Sequence, residues 1–214
     1  GREMARLLAR QHRKLQGNVW LHVVRREFLI ASGIRQLEGL SIGEDLLWSM
    51  QVFLHAAKVV ATSIHAYRYI TRPGSAMASY SAWTLAELYR CMREEYLVLE
   101  KIDAPGDDDL RRFFSSMAID ILIWWTFHPN YQRRLAKGIR WKTCADFTTL
   151  EANRRMIRDL ARSASPLKRL GVWLILASGR LGTWWLCDLY FRAFFGATTM
   201  RARRSAARRA LARA

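Results

Sequence analysis

The stretch Lys58-Val-Val-Ala-Thr-Ser-Ile-His-Ala-Tyr-Arg-Tyr-Ile70 decides how this chain is read. Val60, Thr62, Ile64 and Ala66 alternate with Val59, Ala61, Ser63 and His65, and Arg72, Pro73 and Gly74 follow as turn residues. Period-two alternation in a run rich in β-branched and aromatic residues predicts a strand. Just upstream, Leu46, Leu47, Met50, Phe53, Leu54 and Ala57 recur at helical spacing behind the acidic pair Glu44 and Asp45, which suits the positive end of a helix dipole. A basic helix ending near Gly17 and a β-like run from Val19 to Val24 come first. Strands mixed with helices predict an α/β arrangement for the N-terminal third, residues 1–78.

From Ser81 onward the apolar period changes to that of helices. Leu85, Leu88, Tyr89, Met92, Tyr96 and Leu99 form one stripe, and Leu110, Phe113, Phe114, Met117, Ile121, Trp124 and Trp125 form another. Such stripes are packing faces of helices. Ala104, Pro105 and Gly106 read as the connection between them, and Asp107, Asp108 and Asp109 as the capped, acidic start of the second helix rather than a metal-binding D-x-D. An all-helical region is therefore expected after the first third: a helical extension over 79–165, apolar and aromatic helices over 166–200, and a basic tail over 201–214.

The chain has 214 residues, half of them apolar, enough for one compact core. Its first residue is Gly1, and Arg2, Met4, Leu7 and Leu8 read as the middle of a helix, as if the chain were cut from something longer. The net charge of +17 is uneven, because Arg162 to Ala214 carry eleven Arg or Lys and the single acid Asp188. That balance attracts phosphates, on lipid, substrate or nucleic acid. Cys91, Cys144 and Cys187 lie far apart without C-x-x-C spacing, which points to free thiols rather than a zinc site or a disulfide framework. The apolar runs Val172 to Ala177 and Thr183 to Cys187 are much shorter than the ~20 residues of a spanning helix.

Between Asn18 and Ser79 the chain resembles the second half of the catalytic domain of family 2 glycosyltransferases, which have the A-type glycosyltransferase fold. The resemblance rests on an ordered series: Trp20 with Arg25 and Arg26, then Phe28, Leu29 and Gly33, then Gly43-Glu44-Asp45, then Tyr67, Tyr69, Arg72, Gly74 and Ser75. It implies the acceptor half of a nucleotide-sugar transferase fold and inverting transfer of a hexosyl group from a nucleotide-diphosphate sugar to a hydroxyl. The acceptor would be a saccharide or lipid-linked, as in polysaccharide or glycolipid synthesis. Asp45 would be the catalytic base, a carboxylate fixed and held ionised in the first turn of a helix. Glu44 beside it would orient an acceptor hydroxyl or an arginine. Trp20 and Arg25 are candidate acceptor-binding residues, with Trp20 either stacking on a sugar or sitting in the core. Arg72 and Ser75 suit donor diphosphate oxygens or a plain surface turn, and His65 either approaches the diphosphate or is structural. The divalent metal of the family, Mn or Mg, has its D-x-D motif in a half with no counterpart here, so the chain by itself is expected to be inactive.

The region Leu167 to Ala214 interleaves aromatics with arginines, which favours a bilayer interface. It is expected to attach the protein peripherally to anionic membrane at the cytoplasmic, inner face of the cell membrane, with Trp184, Trp185, Phe194 and Phe195 as the apolar component, or else to pack these helices on the missing half. The alternatives are a non-enzymatic, membrane-peripheral helical protein and a basic nucleic-acid binder. No zinc finger or aromatic RNA-binding pattern supports the latter, so no nucleic acid is expected as partner.

Overall fold

A computed structural model describes Glu3 and residues 19–40, 42–62, 67–68, 70, 81–101, 108–129 and 135–211, apart from the side chains of Trp20 and of 198–211. The described residues hold a 3-10 turn, Val19–Leu21, and the helices α1 (Arg26–Ser32), α2 (Glu44–His55), α3 (Ala82–Glu100), α4 (Asp108–Phe127), α5 (Lys137–Thr148), α6 (Glu151–Arg162), α7 (Pro166–Leu181) and α8 (Trp184–Leu211).

The α/β expectation for the first third is wrong. No strand occurs among the described residues. Val19 to Leu21 form the 3-10 turn, and in the 58–70 stretch residues 58–62, 67, 68 and 70 have no regular structure, with Val60 75% and Ile70 61% exposed. Alternating β-branched residues favour a pleated, half-buried surface, but a strand also needs a neighbour to complete its hydrogen-bond ladder. Every regular element described around this one is helical.

Helices α3 and α4 stand where the apolar stripes placed them, and the helix starts show how the sequence sets them. Ser81 caps α3 in a reciprocal box, its hydroxyl accepting from the Thr84 N–H while the Thr84 hydroxyl accepts from the Ser81 N–H, both at 3.2 Å. Ser165 accepts from the Lys168 N–H ahead of α7, whose first residue is Pro166.

One large core joins α2 to α8 through Leu47, Met50, Leu85, Met92, Phe114, Leu122, Phe127, Ile157, Ile175 and Phe191, among others. Each such side chain contributes about 1.5–3 kcal/mol when fully buried. Polar ties fix the register between helices: Tyr89 of α3 bonds Thr126 of α4 at 2.6 Å and stacks on Phe147 of α5, and Tyr96 donates to Asp159 of α6. Asn153 and Arg154 of α6 donate to the carbonyls of Phe147 and Thr148 at the end of α5. At Gly171 helix α7 comes so close to α8 that an added Cβ would lie 2.6 Å from the Phe191 ring. A smaller cluster of Ile34, Trp48 and Val52, covered by Val19, Val24, Phe28 and Leu29, attaches the turn and α1 to the outer side of α2.

Glu95 of α3 is only 2% exposed, and burial pushes its carboxyl up to about 8. Cys91, one turn earlier, reaches it at 3.7 Å. The folded state therefore holds this proton more tightly than the unfolded chain. The stability tied to it is complete below about pH 4.5 and is lost as pH rises towards about 8. Glu95→Gln keeps the shape without the ionisation. In denaturant unfolding the variant should match the native chain near pH 4 and exceed it by about 3–5 kcal/mol near pH 8. A difference that does not change with pH would refute this account.

Candidate functional site

The Gly43-Glu44-Asp45 turn is built on α3. Gly43 precedes α2 with φ 86°, a left-handed conformation that glycine adopts without strain. Its carbonyl accepts from the N–H groups of Leu46 and Leu47, both at 3.1 Å, and from the Cys91 thiol at 3.2 Å. An added Cβ would lie 2.7 Å from Cys91 Sγ, so a glycine lets the turn seat directly on α3. Asp45 and Glu44 occupy the first turn of α2, both half-buried.

The backbone N–H of Val19 donates to the Asp45 carboxylate, and His22 lies within its electrostatic reach. Burial nevertheless outweighs both and raises the Asp45 carboxyl above the usual carboxylate range. Glu44 is also raised, first by burial and further by the charge of Asp45, against its own backbone N–H. The helix start was expected to hold Asp45 firmly ionised, but partial loss of water is the larger effect here. A raised carboxylate is a better proton acceptor, so the shift suits a general base.

His22 was not singled out from the sequence. Its ring lies edge-on to Phe53 at 5.6 Å and tilted against Trp48 at 6.2 Å, which seats the end of the 3-10 turn against the side of α2. The only sequence signal is its place two residues after Trp20, too slight to separate it from any other histidine. The other expected site residues are less gathered. Trp20 lies in the turn beside Val19, its side chain outside the described part, and Arg25 is an exposed residue at the N-cap of α1. His65, Arg72 and Ser75 lie outside the described residues, as does Tyr69.

Among the described residues no group of three or more His, Cys, Asp or Glu is placed to hold a metal ion. Asp108 and Asp109 are exposed in the first turn of α4, and Asp107 lies outside the described residues. The aromatic hairpin α7–α8 also differs from expectation. Trp184 and Phe195 are 6% and 4% exposed in the core, whereas Trp173 and Trp185 are 64% and 59% exposed. Among the described residues no helix is long and apolar enough to cross a membrane.

No family model matches the chain, and no solved structure matches it. A cholesterol galactosyltransferase of Borreliella burgdorferi is 31% identical to it over 98 residues. The match takes in 46% of this chain and 27% of that protein, so the chain is similar to a glycosyltransferase over a part of the enzyme's length.

Proposed function

We propose that this chain is the acceptor-side part of a family 2 glycosyltransferase that passes a hexosyl group from a nucleotide-diphosphate sugar to an acceptor hydroxyl with inversion. The observation that carries this reading is Asp45, presented on the first turn of α2, held by the Val19 N–H and raised in basicity by burial. The similarity to a galactosyltransferase supports it from an independent side. In this reading the acceptor hydroxyl lies against Asp45, which takes its proton as the oxygen attacks the sugar's anomeric carbon and the nucleoside diphosphate leaves. Glu44 orients the acceptor, and Trp20 and Arg25 flank it. Arg72, Ser75 and His65 remain proposed donor-side residues. A divalent metal, Mn or Mg, is proposed for the complete enzyme, and the described residues offer it no ligand set.

The acceptor is proposed to be a saccharide or a lipid-linked hydroxyl, with the enzyme at the inner face of the cell membrane. Exposed Trp173, Trp185 and Leu189 and the basic composition of Arg162 to Ala214 support that place. The test is transfer of labelled galactose from its nucleotide diphosphate to a sterol or a glycolipid by the complete enzyme, followed by other nucleotide sugars. A product of inverted anomeric configuration is expected, and retention would overturn the mechanism. The 214-residue chain by itself should transfer nothing, and measurable transfer by it would overturn the acceptor-side assignment.

A further inference from the structure

Between α6 and α7 lies a groove of about 510 Å³, on helices other than those that carry Asp45. Five arginines line it, Arg154, Arg158, Arg162, Arg169 and Arg180, and its apolar floor includes Val172, Trp173 and Leu176. No carboxylate lines it.

The neighbouring acids leave a surplus of positive charge. Glu151 is shared by three of the guanidiniums, with Arg158 at 2.8 Å, Arg180 at 3.8 Å and Arg154 at 3.9 Å. Asp159 meets Arg162 at 3.1 Å and also accepts from Tyr96. No described carboxylate pairs with Arg169. Five cations thus face two anions. Arg154 is held in place rather than solvated: it is 6% exposed, its Nη1 donates to the carbonyls of Thr148 and Leu176, and its Nε has no hydrogen-bond partner. Burial and the nearby charge of Arg180 both weaken its hold on the proton. Such a guanidinium favours an anion alongside it. The groove borders an exposed apolar surface, with Trp173 64% and Leu181 72% exposed.

We propose that this groove binds the phosphate headgroup of an anionic membrane lipid, with the arginines on the phosphate oxygens and the lipid's apolar part against Val172, Trp173 and Leu176. The two halves of the groove match the two halves of that ligand: unbalanced guanidiniums suit a phosphate, and a Trp-edged apolar floor suits acyl chain. A free phosphate would use only the first. The inference does not rest on the sugar-transfer reading, and its test involves no sugar.

The experiment titrates the 214-residue chain with dihexanoyl phosphatidic acid as a monomer, and in parallel with dihexanoyl phosphatidylcholine and inorganic phosphate. Binding to the phosphatidic acid should be the tightest of the three. Arg169→Gln with Arg180→Gln, two exposed positions, should weaken it roughly tenfold or more, since each removes a charge-assisted contact. Arg155→Gln with Arg192→Gln, exposed arginines away from the groove, should leave it unchanged. Equal loss in both double variants would reduce the effect to general electrostatics and overturn the site. Inorganic phosphate binding as tightly as the phosphatidic acid would overturn the lipid and leave a site for a free anion. Vesicles of phosphatidylcholine with phosphatidic acid should float the native chain more strongly than the Arg169→Gln, Arg180→Gln variant, and equal flotation would overturn the role at a membrane.

Discussion

In the complete enzyme Asp45→Asn is expected to lower sugar-transfer turnover by about 10²- to 10⁴-fold while leaving nucleotide-sugar binding nearly unchanged. The substitution keeps the volume and the hydrogen-bonding plane of the side chain but removes its capacity to take a proton. The acceptor oxygen would then have to attack while still protonated or pass its proton to water. Because Asp45 sits at the start of α2 and its carboxylate is held by a main-chain N–H, the amide should retain the fold. The loss should appear in kcat with little change in KM for the donor. The pH profile gives a second measurement. Burial raises the Asp45 carboxyl, so the acidic limb of kcat should fall off at a higher pH than an ordinary aspartate would give, and Asp45→Asn should abolish that limb. Near-normal turnover in the variant would remove Asp45 from the chemistry and leave the Gly43 turn as a structural joint between α2 and α3.

The second large effect concerns stability. Asp188→Ala should destabilise the chain by about 3–5 kcal/mol and lower its Tm by roughly 10 °C. Asp188 on α8 is 4% exposed and takes Arg140 Nη2 of α5 on both oxygens, at 2.9 and 3.1 Å. Arg140 is fully buried, and its Nε and Nη1 have no hydrogen-bond partner. Removing the carboxylate strands a guanidinium that already lacks part of its hydrogen bonding, and Lys137, 3.9 Å from Asp188, adds to the uncompensated charge. Replacing both members by apolar residues of similar length should behave differently. Arg140→Met with Asp188→Leu takes away two desolvated charges together, and should recover most or all of the loss. Calorimetry on the single and double variants decides the matter. If Asp188→Ala unfolds at the native temperature, the pair contributes nothing and α8 is held by its other contacts, among them the stack of Phe191 on Phe127 of α4.

Helix identity was legible in the sequence because the apolar stripes of α3 and α4 repeat at 3.6 residues, and that spacing has one compact solution whatever the partner. The helix beginning at Glu44 could be read for the same reason, with its acids at the positive end of the dipole. The 58–70 stretch could not be read in this way, since a strand is completed by a second strand that its own residues do not specify. Asp45 could be proposed from Gly43-Glu44-Asp45, whereas the half-burial that raises its carboxyl, and the Val19 N–H and His22 that pull against the rise, exist only in the folded chain. Asp188 could be seen as the lone acid among eleven cations, but only the tertiary fold brings Arg140, 48 residues earlier, to it as its partner. The same limit applies to the aromatics of α7 and α8. Composition marked Trp184 and Phe195 together with Trp173 and Trp185, and the tertiary structure buried the first pair and exposed the second. Local propensity and period act within a few residues and are written in the chain, while desolvation, charge pairing and the choice of buried face arise between segments distant in sequence and exist only once the helices have packed.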